Sequence, residues 1–339
     1  MYTHFLGFDV SKDTLDVALL SPTCQVLAQT QLANTAVALT RWLKSLLKQV
    51  PGLTLATTLA CLEHTGLYCR PALGALDQLA VPTWLEHAAQ IKLSMGQVRG
   101  KTDKADAVRI GQYAVRYRDR VRLWQPARPV LVALDRLSAR RARLVGVRQQ
   151  LQAALSGSEG FFSPAEQRAE QRAEQQAVAP ALNALTKALK AVEAEMQQLI
   201  AADTDLAALY ECLVSVPGVG PVLATELLLT TGEFRTRSDA KRYASYAGVV
   251  PFERSSGQHR GRGRVSPHAN KRVKALLHLA ALSAVRWCAP LKAYYARKVA
   301  EGKPKMLVLN NVRNKLVHLL FACAQHHRKY NEKYAPALV

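Results

Sequence analysis

Four carboxylate residues in the first third of the sequence could together bind a divalent cation. The segment GKTDKADA, residues 100–107, places Asp103 and Asp106 three positions apart, on one face of a helix. Taken alone, this pair favours a capped helix start over a metal site. Asp9 in GFDVSKD and Glu63 in CLEHTGLY each end an apolar run that is predicted to be a strand. A carboxylate there is costly unless it is paired or bound to a metal, so the four residues together favour the metal site.

A second group of residues could bind a nucleic-acid backbone. Residues 254–274, RSSGQHRGRGRVSPHANKRVK, carry seven Lys or Arg residues and no acid. Their glycine and serine content predicts a loop that lies against phosphates. The turn PGVG, residues 217–220, could direct backbone N–H groups at a phosphate, as a helix-hairpin-helix does, or could be a plain helix–helix turn. The predicted nucleic-acid contacts are Arg140, Arg141, Arg148, Gly218, Gly220, Arg254, Arg260, Arg262, Arg264, Lys271 and Arg272.

The charge of the whole chain supports a polyanionic partner. Among 339 residues, Lys and Arg outnumber Asp and Glu by 46 to 25, which gives a net charge of +21. The six cysteines form no CxxC pair, which is typical of reduced thiols rather than disulfides or zinc sites. No run of eighteen apolar residues and no signal-peptide pattern is present. These features predict a soluble, cytoplasmic, nucleic-acid-binding protein without a membrane segment.

The elements that must position the carboxylates are those of an α/β domain over residues 1–125. Apolar runs predict strands at 5–10, 15–20 and 24–31, which form an antiparallel meander. A helix over 36–50 follows, then a strand in LTLATTLACLEHTG, a helix over 67–79 and a strand in VPTWLEH. Alternation of strands and helices predicts parallel pairing after the meander.

Two long helices are predicted over residues 126–205, followed by a mainly helical domain over 206–339. Apolar residues repeat at heptad spacing from Val130, with breaks at 157–164 and at Pro180. The two helices could pair with each other or with another subunit, and we expect the second seam to bury against a second subunit. That second seam consists of Leu182, Leu185, Leu189, Val192, Met196 and Leu199.

Six ordered motifs resemble the DEDD-type transposases of the insertion-sequence-110 family, to which the Piv-type DNA invertases are related. GFDVSKDTLDVALL, CLEHTGLY and GKTDKADA resemble the family's RuvC-like, ribonuclease-H-like N-terminal domain. SVPGVGPVLATELL, YAGVVPFERSSG and RVSPHANKRVKALLHLAALSA resemble its C-terminal transposase domain. The resemblance implies Asp9, Glu63, Asp103 and Asp106 as an acidic tetrad that binds Mg²⁺ or Mn²⁺, and Ser256 as the nucleophile.

The resemblance also implies partners and an assembly. It implies a coiled coil between the domains, a homodimer or homotetramer, donor and target DNA, a structured guide RNA, and a place at the nucleoid of a bacterium or archaeon. Within the sequence, Ser255 remains an alternative nucleophile to Ser256. The competing functions are a hydrolytic RuvC-like nuclease or junction resolvase, an RNA-independent invertase and a non-enzymatic architectural DNA binder.

Overall fold

The chain forms two compact units, Met1–Pro126 and Ala127–Val339. A computed structural model describes residues 2–94, 103–154, 164–256, 259–265 and 269–331. For residues 103–104, 154, 164–171, 253–256 and 259–264 it describes the backbone alone. Within the described residues, no helix combines the length and the apolar character needed to cross a membrane.

The first unit is built on one mixed five-stranded sheet with the strand order β3-β2-β1-β4-β5. Its first three strands form an antiparallel meander, and the other two add in parallel, so the predicted pairing is confirmed. Ser11 shapes the first turn, because its hydroxyl accepts a hydrogen bond from the Thr14 amide at 3.0 Å. The strands are β1 (His4–Val10), β2 (Thr14–Leu20), β3 (Val26–Ala33), β4 (Thr58–Glu63) and β5 (Thr83–Glu86).

Helices cover both faces of this sheet, which explains why its central strands are apolar on both sides. Successive strand residues point to opposite faces. Phe8 accordingly packs in the core that contains α1 and α2, and Phe5 packs in the core that contains α4. The helices of this unit are α1 (Ala36–Gln49), α2 (Arg70–Gln78), α3 (Ala88–Ser94) and α4 (Asp103–Arg116).

Helix α4 lies unusually close to β1, and Gly7 makes this approach possible. A Cβ atom added to Gly7 would lie 2.1 Å from the carbonyl oxygen of Ala107 and 2.3 Å from the amide nitrogen of Gly111. The end of α4 packs near the opposite edge of the sheet, where Tyr117 and Tyr2 join the same apolar core. The start of α4 therefore points toward the edge at which β1 ends.

The second unit is mainly helical, with one two-stranded hairpin. Its core is contiguous and includes residues from all of its long helices. The elements are α5 (Pro129–Ala154), α6 (Pro164–Ala201), α7 (Thr204–Val214), α8 (Pro221–Thr231), α9 (Ala240–Tyr246), β6 (Pro251–Ser256), β7 (His259–Val265), α10 (Lys271–Trp287), α11 (Ala289–Ala300) and α12 (Lys305–Gln325).

The long helices α5 and α6 pair within the chain. The predicted break at Pro180 is wrong, because α6 continues through this residue. The flanking residues are rich in Ala, Glu and Gln, which favour a helix enough to tolerate one missing backbone hydrogen bond. The other predicted break falls mostly at residues 155–163, outside the described part of the chain, and α6 begins at Pro164.

Part of the predicted seam on α6 is buried inside the same chain. Val192 and Met196 pack in one core with Leu134 of α5, and Leu189 is also buried. For these three residues the expectation of burial against a second subunit is wrong, since they are already buried within one chain. An ion pair between Arg141 Nε and Glu193 Oε1, 2.7 Å apart, also links α5 to α6.

Helices α7 and α8 form a hairpin through the predicted turn. Gly218 has a φ of +90°, and a Cβ atom there would lie 2.4 Å from the carbonyl oxygen of Ala280 on α10. Glycine is therefore needed at this position for its backbone conformation and for packing against α10. Gly220, by contrast, is exposed and precedes the first residue of α8. Whether this hairpin contacts DNA remains a prediction.

The basic segment 254–274 is not one loop, as the sequence suggested. Its first part forms the antiparallel hairpin of β6 and β7, in which Ser256 pairs with His259. Its last part enters α10, whose start is capped by Asn270, since the side-chain oxygen accepts a hydrogen bond from the Val273 amide at 3.0 Å. Paired backbone groups explain why this stretch, although rich in glycine, is ordered as strands.

Candidate active site

Asp9 and Glu63 lie side by side at one edge of the sheet. The parallel register of β1 and β4 pairs Phe8 with Leu62, and these two acids are the next residues in each strand. Gly7 and Cys61 both face α4, and Asp9 and Glu63 each come two positions after one of them in the same strand. Strand alternation therefore places both carboxylates on the α4 face, where each is half-buried.

The two helical acids lie at the start of α4. Asp103 is the first residue of the helix, and its side chain lies outside the described part of the structure. Asp106 directly precedes Ala107, the residue whose carbonyl lies against Gly7. Its Oδ1 accepts a hydrogen bond from Nη1 of Arg109, and both side chains are partly exposed. The contact with Gly7 thus fixes the helix start relative to β1, the strand that carries the first acid.

No three His, Cys, Asp or Glu side chains lie close enough together, among the side chains that the structure describes, to form a metal site. The acidic tetrad therefore stays a prediction, and the side chain of Asp103 lies outside the described part of the structure. The chemistry of the set suits Mg²⁺, because carboxylate oxygens are the hard ligands that this ion prefers.

Two further acids, which the sequence interpretation missed, extend this set along the sheet. Glu86 pairs in register with Glu63, and Asp16 pairs in register with Asp9. Residues in register share a face, so the acids form a row across β2, β1, β4 and β5. Adjacent strands are about 4.8 Å apart, so the row is a line rather than a convergent cluster. For Glu86 the signal available in the sequence was its position two residues after Trp84, whose side chain packs in the core that contains α4.

Glu86 is held by α4. The Tyr113 hydroxyl donates to Glu86 Oε2 at 3.2 Å, and the Tyr113 ring packs against Trp84 with centroids 5.1 Å apart. Burial of the ring and the neighbouring negative charge of Glu86 raise the pKa of Tyr113. The phenol thus stays protonated and remains a hydrogen-bond donor to this end of the acidic row.

Ser256 lies in the second unit, as the last residue of β6. The register pairs it with His259 and pairs Ser255 with Arg260, so both candidate nucleophiles lie at the tip of the hairpin. Their side chains are outside the described part of the structure. The backbone arrangement does not choose between the two serines, and Ser256 stays the predicted nucleophile.

The predicted basic contacts differ in how freely they could reach a phosphate. Arg140 is exposed, whereas Arg141 is largely buried by its ion pair on α6. Arg272 is also engaged, since its Nε lies 3.0 Å from Glu226 Oε2 and its Nη2 donates to Ser138 Oγ at 2.7 Å. Burial raises the pKa of Glu226, and Arg272 opposes that shift. These contacts give Arg272 a structural role in the second unit.

The remaining predicted contacts are described less fully. Arg148 is half-buried, with its Nε enclosed and without a hydrogen-bond partner in the described structure. Lys271 is exposed at the start of α10. The other four arginines lie on the hairpin, with side chains outside the described part: Arg254, Arg260, Arg262 and Arg264.

Comparison with known proteins connects both units to transposases. A DEDD-type transposase family of IS110 elements matches residues 6–157, and the family described as transposase IS116/IS110/IS902 matches residues 210–296. A protein of insertion element IS116 from Streptomyces clavuligerus is 30% identical over 167 residues, 49% of this chain and 40% of that protein. The match thus spans less than half the length of that relative.

Two other similarities have different extents. The pilin gene-inverting protein of Moraxella lacunata is 23% identical over 341 residues, which cover 98% of this chain and 99% of that protein. Among solved structures, T. thermophilus RuvC in complex with a Holliday junction substrate is 15% identical, with a TM-score of 0.28. That similarity covers 36% of this chain and 100% of the RuvC chain.

Proposed function

The chain belongs to the IS116/IS110/IS902 family of transposases, and we propose that it is a DNA transposase or site-specific recombinase of an insertion sequence. One observation carries this proposal. Asp9 and Glu63 lie at the carboxyl ends of neighbouring parallel strands on the face covered by α4, and the first turn of this helix contains the two aspartates of the GKTDKADA motif. A site that acts on phosphates at this end of the sheet would have carboxylates from β1, β4 and α4, which all belong to the first unit.

Asp9, Glu63, Asp103 and Asp106 are the residues that would hold a divalent cation, Mg²⁺ or Mn²⁺. When bound, this ion would polarise the scissile phosphate and stabilise the charge that develops on it. The ion would also offset the repulsion between neighbouring carboxylates. Asp106 can exchange its contact with Arg109 for a cation because both groups are partly exposed.

Ser256 would supply the covalent step. Its Oγ attacks the phosphorus atom, a new P–Oγ bond forms, and the bond from phosphorus to one bridging DNA oxygen breaks. The serine proton leaves with a base of the site or with the departing DNA hydroxyl. Because the phosphodiester is retained in the serine link, the reverse attack by a DNA hydroxyl rejoins strands without ATP.

Donor and target DNA are the proposed substrates. The net charge of +21 and the basic hairpin of β6 and β7 provide attraction for phosphates. Guidance by a structured RNA, assembly into a homodimer or homotetramer, and action at the nucleoid in the cytoplasm complete the proposal. Sequencing the RNA that copurifies with the protein tests the guide.

Incubation with DNA that contains the element ends tests the chemistry. The wild type should give a protein–DNA adduct that survives denaturation, and Ser256→Ala should not, whereas Ser255→Ala should. Asp106→Asn keeps the side-chain shape, so folding and DNA binding should persist. Because it removes the negative charge that would bind the cation, it should abolish recombination. An active Asp106→Asn protein would exclude the metal role of that residue, and cleavage without any adduct would favour a hydrolytic nuclease.

The origin of the two functional groups can be tested with a mixture. If the serine and the acids act from different subunits, Asp106→Asn and Ser256→Ala proteins should each be inactive alone. Mixed and reassembled, they should regain part of the activity, because one assembly then contains an intact serine and an intact acidic set. No recovery at any ratio would place both groups in the same chain.

An RNA-independent DNA invertase is the second candidate function. The alignment to the Moraxella lacunata pilin gene-inverting protein over 98% of the chain favours it. The two candidates share the acidic residues and the serine, so mutants do not separate them. Activity that persists after ribonuclease treatment of the purified protein would favour the invertase, whereas loss that is restored by added RNA would favour the guided transposase.

A further inference from the structure

A buried aspartate lies behind the proposed catalytic edge. Asp16 is on β2, directly across the antiparallel register from Asp9, and only 3% of its surface is exposed. Its Oδ2 accepts a hydrogen bond from Gln31 Nε2 at 2.9 Å. Its Oδ1 is enclosed and has no hydrogen-bond partner in the described structure.

This arrangement is energetically unfavourable for a residue with a purely structural role. A buried carboxylate oxygen without a donor loses its hydration and gains nothing in return. Within the described part of the chain, no Lys, Arg or His forms an ion pair with Asp16. Such an unsatisfied group calls for an ion, a water molecule or a proton that completes it.

The position of Asp16 in the sheet favours an ion, or a water molecule bound to an ion, as the missing partner. Cross-strand partners project from the same face of a sheet, with Cβ atoms about 4.5–5.5 Å apart. Asp16 and Asp9 therefore share the face that carries Ala18 and α4, and Asp16 approaches the predicted cation site from the side opposite to Glu63.

We propose that Asp16 is a fifth carboxylate of the cation site. It acts as a positioning residue whose negative charge increases the affinity of the site beside Asp9 for a divalent cation through a water molecule bound to the ion, not as a direct ligand. Gln31 binds one oxygen of Asp16, and the other oxygen is enclosed without a hydrogen-bond partner in the described structure. This inference rests on the proposed function, because it assumes that Asp9 is a cation ligand.

The test measures Mn²⁺ affinity of the full-length protein by isothermal titration calorimetry. Asp16→Asn keeps the size of the side chain and an oxygen that accepts from Gln31, but it removes the charge. Loss of an outer-shell partner of a metal ligand typically weakens binding by about 10–100-fold, and we expect a loss of that size. The melting temperature without Mn²⁺ should not fall, since the variant removes repulsion from Asp9.

Matched glutamines provide the second variant and its control. Gln31→Ala releases the Asp16 carboxylate from its only described hydrogen bond, so it should weaken Mn²⁺ binding by a few-fold. Gln29 lies two residues earlier on the same exposed strand, opposite Ala18, so Gln29→Ala should bind Mn²⁺ like the wild type. Both substitutions are at exposed positions, so folding should persist even if Asp16→Asn misfolds.

The outcomes separate this inference from the proposed function. Wild-type affinity in Asp16→Asn, with binding lost in Asp9→Asn, overturns the role of Asp16 and leaves the cation site intact. If Asp16→Asn does not fold, equal affinities in Gln31→Ala, Gln29→Ala and wild type overturn it. No Mn²⁺ binding by the wild type would overturn both this inference and the metal-assisted mechanism.

Discussion

Replacing Gly7 with alanine should displace α4 from the sheet. The added Cβ atom would lie 2.1 Å from the carbonyl oxygen of Ala107, 2.3 Å from the nitrogen of Gly111 and 2.8 Å from its Cα. All three are backbone atoms, so no side-chain rotation can relieve the contact. Overpacking of this kind costs about 1–3 kcal/mol, and we expect the upper end, about 3 kcal/mol.

The same displacement should reduce activity. To bring the closest contact to an ordinary separation, the helix must move by about 1 Å or more, and Asp103 and Asp106 move with it. A misplacement of about 1 Å can cost about 100-fold in rate. Gly7→Ala should therefore lower recombination and Mn²⁺ affinity even under conditions in which the protein remains folded.

Tryptophan fluorescence provides the stability assay. Trp42, Trp84 and Trp124 lie in the cores of the first unit, whereas Trp287 of the second unit is 78% exposed. Urea unfolding followed by fluorescence therefore reports mainly on the first unit. With a slope of about 2 kcal/mol per molar urea, a loss of about 3 kcal/mol lowers the midpoint by about 1.5 M.

Two glycines of the same unit serve as controls. Gly74 is exposed on α2 with no atom within 4 Å of an added Cβ, so Gly74→Ala should stabilise by about 0.5–1 kcal/mol. At Gly111 the nearest atom is Cδ1 of Leu20, 2.4 Å away, and this flexible end can move. We expect a cost of about 1 kcal/mol there. A Gly7→Ala midpoint equal to that of the wild type would refute the close approach of α4.

Three further changes test other parts of the structure. Burial and a neighbouring carboxylate raise the pKa of Tyr113, so the contribution of this phenol to stability is complete below about pH 10 and is lost as the pH rises further. At alkaline pH the urea midpoint of Tyr113→Phe should therefore fall less than that of the wild type. Midpoints that fall in parallel with pH would contradict this linkage. Gly218→Ala should lower the unfolding midpoint of the second unit, measured by circular dichroism, whereas Gly220→Ala should leave it near that of the wild type. Of these two glycines, Gly218 has the positive φ and the close backbone contact. The double change Arg260→Ala with Arg262→Ala should lower the slope of log affinity for duplex DNA against log salt by about 1.8, at about 0.9 per phosphate contact; unchanged affinity and slope would show that the hairpin does not contact DNA.

Local patterns in the sequence predicted most elements of the first unit. Apolar runs marked β1, β2 and β4, and helical spacing of Leu39, Leu43 and Leu46 marked α1, as the structure has them. These predictions succeeded because the spacing of apolar residues within a short stretch of chain shows which face of each element is buried. The strand-end positions of Asp9 and Glu63, together with the family resemblance, predicted that both belong to one acidic set, and the register of β1 and β4 places them side by side.

The second unit departed from prediction where local preference and context disagreed. Pro180 predicts a break in the helix, but its helix-forming neighbours allow α6 to continue through it. The stretch RGRGR in β7 was interpreted as a loop on its glycine content, although its period of two is typical of a strand. Partners for the α6 seam could not be chosen from the sequence, because α5 and a second subunit offer similar apolar faces.

The register between strands is the information that the sequence lacks, and it determines the acidic edge. In TLDVALL, Asp16 stands among residues that are buried on both faces of β2, so its pattern gives no sign of which acid it meets. Asp16 pairs in register with Asp9, and Glu63 pairs in register with Glu86. These pairings place the four acids in a row of like charges across four strands. Such a row is unfavourable in a fold unless cations neutralise it. If the proposed site binds a divalent cation, we therefore expect that cation to stabilise the sheet that carries the row.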